Sequence, residues 1–170
     1  MKILGIDPGS DGGLCILEDG VIIKTMSTPN FKDCNGNKII DTYKVGDFIS
    51  ENEVDHIFIE DVHAIYGISA KNTFNFGRNV GMIEGLILAF GYELNKVKPK
   101  VWQLKPWRSV PMIKDENGKK DNKIRSLLAL KKLFPNISEE ILLRTPRCKK
   151  PHDGIVDSIL IAYYGNSVCN

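Results

Sequence analysis

Lys2-Ile-Leu-Gly-Ile-Asp7, followed by Pro8-Gly9-Ser10, is the stretch from which the rest of the chain can be read. Residues 2–7 form an apolar run that ends on a carboxylate, the pattern of a buried strand whose last side chain leaves the core. Pro8 fixes its own φ and Gly9 tolerates a positive φ, so the spacing predicts a turn directly after Asp7. Two more apolar runs follow, at 12–17 and 21–26, with Glu18-Asp19-Gly20 between them as a hairpin signal. The opening therefore reads as a three-stranded antiparallel meander.

Residues 27–40 read as a loop, and 42–52 as a helix capped by Asp41 or Thr42. Asp55-His-Ile-Phe-Ile-Glu60 is a fourth strand, and it too ends on a carboxylate. A long helix over 72–90 precedes a short strand at 93–97 and a helical turn at 101–104. Residues 105–120, with Pro106, Pro111, Gly118 and many charges, read as a flexible loop. Residues 121–134 predict an amphipathic helix with Ile124, Leu127, Leu128 and Leu133 on one face, ended by Pro135. The last helix covers 151–164, with Pro151 in its first turn. This order is that of an α/β, ribonuclease H-like fold: a mixed five-stranded sheet, three antiparallel strands then two parallel, flanked by helices. At 170 residues the chain reads as one domain, 1–170.

Asp7 and Glu60 close two strands, and Asp153 and Asp157 lie four apart on the last helix, which puts both on one face. If the two strands are neighbours, these carboxylates gather at one end of the sheet. Like charges so placed repel unless a cation stands between them. Hard oxygen ligands of this kind suit magnesium, with manganese as a substitute. Two such ions, ~4 Å apart, would bind both the attacking water and the departing oxygen of a phosphodiester. Each acid also has a plain reading: Asp7 as a turn former, Asp153 and Asp157 as partners of a helix dipole. Asp157 resists it most, because it runs straight into Ser158-Ile-Leu-Ile-Ala162, where an unpaired buried charge is costly.

The composition, 42% hydrophobic and 26% charged, is that of a folded globular chain. The N-terminal apolar run is too short for a secretion signal. The apolar-leaning stretch 81–90 is interrupted by Glu84 and too short to cross a bilayer. A soluble, cytoplasmic protein with no membrane partner is expected. Cysteines 15, 34, 148 and 169 form no Cys-x-x-Cys pair and read as reduced thiols. The net charge of +2 hides an asymmetry: residues 1–95 carry 7 basic and 14 acidic side chains, residues 96–150 carry 16 and 5. That cationic segment points to a polyanion partner, against the plainer reading of a solvated lysine-rich surface.

Gly5-Ile-Asp-Pro-Gly-Ser10 resembles the opening motif of the RuvC-type Holliday-junction resolvases, and Ile59-Glu60-Asp61-Val62 resembles their second motif. Thr73-Phe-Asn-Phe-Gly-Arg-Asn-Val-Gly-Met-Ile-Glu-Gly85 and Val97-Lys-Pro-Lys-Val-Trp102 are similar to the phage and prophage branch of that family. Asp153-Gly-Ile-Val-Asp157-Ser-Ile-Leu-Ile-Ala162 looks like its C-terminal motif. The resemblance implies metal-binding acids at Asp7, Glu60, Asp153 and Asp157, and a catalytic lysine for which Lys120 and Lys123 are the candidates. It also implies a homodimer in which each subunit cuts one strand of a four-way junction. Two features depart from the family: the basic loop carries an insertion-like run, Lys114 to Lys120, and the family's last two acids usually stand three apart. Gly154 occupies the expected place, so Asp153 must serve from one residue earlier, with His152 as the weaker substitute.

Lys71, Asn72, Phe74 and Arg78 open the long helix, where a phosphate and an unstacked base could be met; Phe74 or Phe76 as core is the alternative. His63 and Tyr66 lie on the loop after Glu60, where a resolvase would insert a side chain into the junction. Lys100, Lys105, Lys114, Lys119 and Lys120 would supply phosphate contacts that weaken with salt. Gly77, Gly81 and Gly85 recur every four residues, either to pack on the sheet or to meet a second copy. Trp102 reads as core, and Trp107 as a residue exposed near DNA. A looser nuclease for branched or flap DNA would use the same residues. An actin-like nucleotide-binding domain shares the opening strand and turn, yet it needs a duplicated domain for which this chain is too short, so no nucleotide cofactor is expected. A DNA-binding module without nuclease activity would not need all four acids.

Overall fold

A computed structural model describes residues 1–63, 67 and 69–170. Its first three strands, β1 (Lys2–Asp7), β2 (Gly13–Glu18) and β3 (Val21–Ser27), pair antiparallel as the sequence pattern requires. Asp19 and Gly20 link β2 to β3 with φ of 48° and 81°, the left-handed pair that a twisted hairpin favours. Gly9 departs from expectation, since it takes no positive φ. The turn after Asp7 closes instead through the Gly12 N–H donating to the Gly9 carbonyl at 2.9 Å.

Residues 27–40 hold more structure than a loop. A hairpin of β4 (Asn30–Lys32) and β5 (Lys38–Ile40) forms around Asp33, whose side chain accepts the Asn35 and Asn37 N–H groups at 2.9 and 2.8 Å. Next come α1 (Thr42–Ser50), capped by Asp41, then β6 (His56–Glu60), α2 (Ala70–Ala89), capped by Ser69, and β7 (Asn95–Val97). β6 lies parallel to β1, and β7 parallel to β6, giving the order β3-β2-β1-β6-β7. The mixed five-stranded sheet of the ribonuclease H-like fold is thus present.

The alternation of side chains along β1 builds two layers. Leu4 and Ile6 face Val45, Ile49, Ile83 and Ile87 of α1 and α2. Ile3 faces the other layer, formed by α5 (Asn122–Leu133) and α6 (Asp153–Cys169). Between β7 and α5 run the short helices α3 (Pro99–Trp102) and α4 (Leu104–Trp107) and a turn closed by the Lys114–Lys120 bridge. Residues 105–120 are therefore not plain loop: Asp115 ties the turn by accepting the Asn117 and Lys119 N–H groups at 2.9 and 2.8 Å.

α5 is rotated from the face its leucines predict. Ser126, Ala129 and Leu130 are buried, while Ile124 and Leu128 are 48% and 41% exposed. Leu127 and Leu133 do pack on the core. Small residues face α6 because the two helices lie close. Helix α6 begins at Asp153, so Pro151 precedes it, and it runs on to Cys169. It is apolar almost all round because it is covered by the sheet on one side and α5 on the other. Its approach to β1 is set by Gly5: a Cβ there would stand 2.8 Å from the Ala162 Cα.

Gly5→Ala should therefore push α6 off the sheet, lowering stability by about 1–3 kcal/mol. Gly9→Ala, whose Cβ would meet nothing nearer than 3.6 Å, should stay within about 0.5 kcal/mol of the parent. Urea unfolding midpoints of the two variants check this; equal midpoints would show that the helix does not rest on Gly5.

Candidate active site

Asp7 ends β1 and Glu60 ends β6, and the pairing of Ile6 with Ile59 sets both carboxylates side by side at one edge of the sheet. Glycines bring α6 to the same edge. A Cβ on Gly154 would stand 2.5 Å from the Gly12 Cα, and one on Gly13 would stand 2.7 Å from the Ile155 nitrogen. The first turn of α6 thus lies on the β1–β2 turn, backbone against backbone. Asp157, one turn further along, comes up beside Asp7.

Asp7, Glu60 and Asp157 are half-buried; Asp153 is exposed. Burial holds the Asp7 carboxyl well above its usual range, and the charges of Asp157, Glu60 and Asp153 add to that, against the Gly9 N–H. Asp157 is pushed up to about 7, again chiefly by burial, with Ser126 opposing and Glu60 and Asp153 adding. Burial raises Glu60 as well, against the Trp102 indole. The Oδ1 of Asp157 is buried with no hydrogen-bond partner. Asp7 sits within the field of Asp157 and Glu60, and one Asp157 oxygen lacks the donor that would settle it as a structural group.

Asp153 stands apart. Its Oδ2 lies 2.5 Å from the Lys123 Nζ, a pair that raises the lysine pKa. Position 154 has no room for any side chain, so the acid nearest the start of the helix is Asp153, at the rim. His152 caps the helix through its backbone, and its Nδ1 is buried without a partner. Burial and Arg144 hold its pKa below the usual value. Among the described residues, no three carboxylate, imidazole or thiol groups already surround one point closely enough to hold an ion. Asp153 is drawn to Lys123, and Glu60 to the Trp102 Nε1 at 3.0 Å. The donor set itself, all hard oxygen with one orphaned buried atom, fits a divalent cation.

Of the two lysine candidates the structure brings Lys123 to the acids. Lys120 sits at the base of the 114–120 turn, exposed, with no hydrogen bond or ion pair to them among the described residues. Trp102 and Ser126 belong to the site although neither was singled out for it. The signal for Trp102 was present: a buried indole needs an acceptor for its N–H. It is fully buried, as expected of core, and uses Glu60 for that purpose.

Lys71, Asn72 and Phe74 are exposed at the start of α2, Phe74 by 70%, which removes the reading of Phe74 as core. Arg78 is half-buried, 3.8 Å from Asp33, with its Nε and Nη2 unbonded. His63 is exposed and 3.8 Å from Asp61, and Tyr66 lies outside the described residues. Lys100, Lys105, Lys114 and Lys119 are all exposed. Trp107 differs from expectation. It is half-buried, edge-on to Trp102 at 6.5 Å and covered by the Arg125 guanidinium at 4.7 Å. Gly77, Gly81 and Gly85 face open space, so they do not serve packing on the sheet.

No protein-family model and no curated protein sequence matches the chain. Solved structures do share its fold. RuvC of T. thermophilus in complex with a Holliday junction substrate aligns at a TM-score of 0.60 and 13% identity, over 96% of this chain and 92% of that one. Thermus thermophilus RuvC on its own gives 0.55 and 13%, over 99% and 96%. The yeast mitochondrial Holliday junction resolvase Ydc2 gives 0.52 and 15%, over 96% and 77%. The fold is therefore the RuvC, ribonuclease H-like one across nearly the whole chain.

The raised acids fix the sign of a pH effect. A carboxyl whose pKa is higher folded than unfolded stabilises the fold most when protonated, and that gain is lost as pH rises through the folded value. For Asp157 the window runs from about 4 to about 7. In EDTA the protein should become more stable as pH falls from 8 towards 5, by on the order of 1 kcal/mol after allowance for solvent screening. Asp157→Asn should flatten the profile. Thermal unfolding across that range reads it, and an unchanged slope in the variant would remove Asp157 from the strained cluster.

Proposed function

We propose that the chain is a divalent-metal-dependent endonuclease that cuts branched DNA and resolves four-way (Holliday) junctions as a homodimer. The observation that carries this reading is the cluster of Asp7, Glu60 and Asp157, half-buried at one sheet edge with carboxyls that burial holds above their usual pKa, on a RuvC-like fold.

Asp7, Glu60 and Asp157 would hold the metal, with Asp153 joining from the rim; the oxygen donors favour magnesium, two ions per site, and manganese as a substitute. Bound there, the metal supplies a Lewis acid for the phosphate and lowers the pKa of an attacking water. The remaining work falls to the chain's own side chains. The Trp102 N–H fixes the direction of the Glu60 carboxylate. Ser126, buried on α5, faces Asp157 and steadies its charged form. The Lys123 ammonium stands at the mouth of the site, where it can meet a phosphate oxygen once Asp153 turns inward. Exposed Lys100, Lys105, Lys114, Lys119 and Lys120 offer sequence-independent phosphate contacts.

The homodimer is supported by the outer face of α2. Gly77, Gly81 and Gly85 open it to close backbone approach, and Phe74 and Leu88 on it are 70% and 58% exposed. Three exposed glycines cost the helix about 1 kcal/mol each against alanine, which a second copy packed against them would offset.

Labelled four-way junction, flap and duplex DNA, incubated with magnesium and with EDTA, test the activity. The parent should cut the junction symmetrically and only with metal. Asp7→Asn should lose at least about a hundredfold in rate while binding the junction within a few-fold of the parent. Cutting by that variant, or cutting in EDTA, refutes the assignment; equal cutting of flap and junction makes it a general debranching nuclease.

Light scattering checks the assembly. The parent should have twice the chain mass of 19.1 kDa, and Gly81→Glu should reduce it to one copy without unfolding. A variant that stays dimeric would place the contact elsewhere.

A further inference from the structure

An open cavity of about 550 Å3 lies between α3–α4 and α5, lined by Lys100, Gln103, Leu104, Trp107, Arg108 and Arg125. Its chemistry is unbalanced. Among the described residues none of its three cations comes within ion-pair distance of a carboxylate. The segment that supplies Lys100 and Arg108 is one-sided too: residues 94–114 hold six lysines and arginines and no acid.

Arg125 is already fixed in place. Its Nη2 donates to the Trp107 and Val110 carbonyls at 3.3 and 2.8 Å, and its Nε to the Val110 carbonyl at 3.2 Å. The guanidinium also lies over the Trp107 ring. Carbonyls take up its Nε and Nη2 N–H groups without neutralising it, so the cavity keeps a held positive charge. Lys100 and Arg108 are exposed beside it, and Leu104 is 73% exposed at the mouth. A phosphate alone would use the cations and leave Leu104 and Trp107 unexplained. Duplex DNA would present only its backbone. An unpaired nucleotide offers both an anion and a flat apolar base.

We propose that this cavity is a second nucleotide site, separate from the carboxylate cluster, that takes one unpaired nucleotide. The phosphate is held by Lys100 and Arg108, and the sugar and base rest against Leu104 and Trp107. Trp107 touches Trp102, whose indole bonds Glu60, so the cavity lies one side chain away from the acids, within reach of a strand that leaves them. The choice of DNA as the polymer rests on the nuclease reading; the site itself does not.

The test uses the full chain in EDTA, where nothing is cut. The probes are a short oligothymidylate and an abasic phosphodiester strand of equal length, each followed by anisotropy and tryptophan emission. Oligothymidylate should bind and shift the emission, and the abasic strand should bind at least about tenfold more weakly. Trp107→Phe should remove the emission change while keeping affinity within about threefold. Lys100→Ala with Arg108→Ala should weaken binding at least about tenfold, while Lys44→Ala on α1 leaves it unaltered. Three results would each overturn the proposal: equal affinity for both strands, no emission change at saturation, or a double variant that binds like the parent. No arm depends on metal or on cleavage, so a chain that cuts no junction could still pass, and one that cuts could still fail.

Discussion

Carboxylates that repel one another are held together here by backbone contacts that admit no side chain. Gly12, Gly13 and Gly154 let the first turn of α6 rest on the turn after β1, and Gly5 lets the rest of the helix lie on the strand itself. Without that approach Asp157 would not reach Asp7. The sheet fixes the other half of the arrangement, since parallel pairing of β1 with β6 places Asp7 and Glu60 on adjacent strand ends. Neither contact can adjust by rotating a side chain. The acids are therefore positioned by rigid elements, and their mutual repulsion is borne by the core beneath them.

Burial outweighs that repulsion. Asp7, Asp157 and Glu60 all sit above their usual pKa, and burial is the leading cause for each. A structural acid in such a place would be given donors. Asp157 has an oxygen with none, and Glu60 has a single indole N–H. Amides in these places would relieve that cost, and a cation would offset it.

The strand ends were legible in the sequence because an apolar run that stops on an acid has few readings, and the first three strands are apolar runs with turn signals between them. The parts that were not legible share a cause. The hairpin of β4 and β5 hides in a polar, Asn-rich segment whose order comes from Asp33 bonding its own backbone. The buried face of α5 is set by Ser126 and Ala129, which carry little hydrophobic signal and are chosen for closeness to α6. Trp102 was legible as core and not as the partner of Glu60, because the acceptor for its N–H lies 42 positions away in the chain. Long-range polar pairs leave no periodicity to read.

Spacing alone misleads most at Asp153. Four residues from Asp157, it shares a helix face in principle, yet it is exposed and paired with Lys123, while Asp157 is drawn into the core. The difference follows from where the helix begins. Asp153 is the first helical residue, past the edge of the sheet, and Gly154 behind it is sealed against Gly12. An acid at 154 would need the backbone contact that assembles the site to open. Moving the acid to 153 keeps the contact and sets the carboxylate at the rim, within reach of a lysine on α5. The Lys123–Asp153 pair is then a consequence of the same glycine packing that brings Asp157 to Asp7, and it leaves a carboxylate and an ammonium side by side at the rim of the cluster.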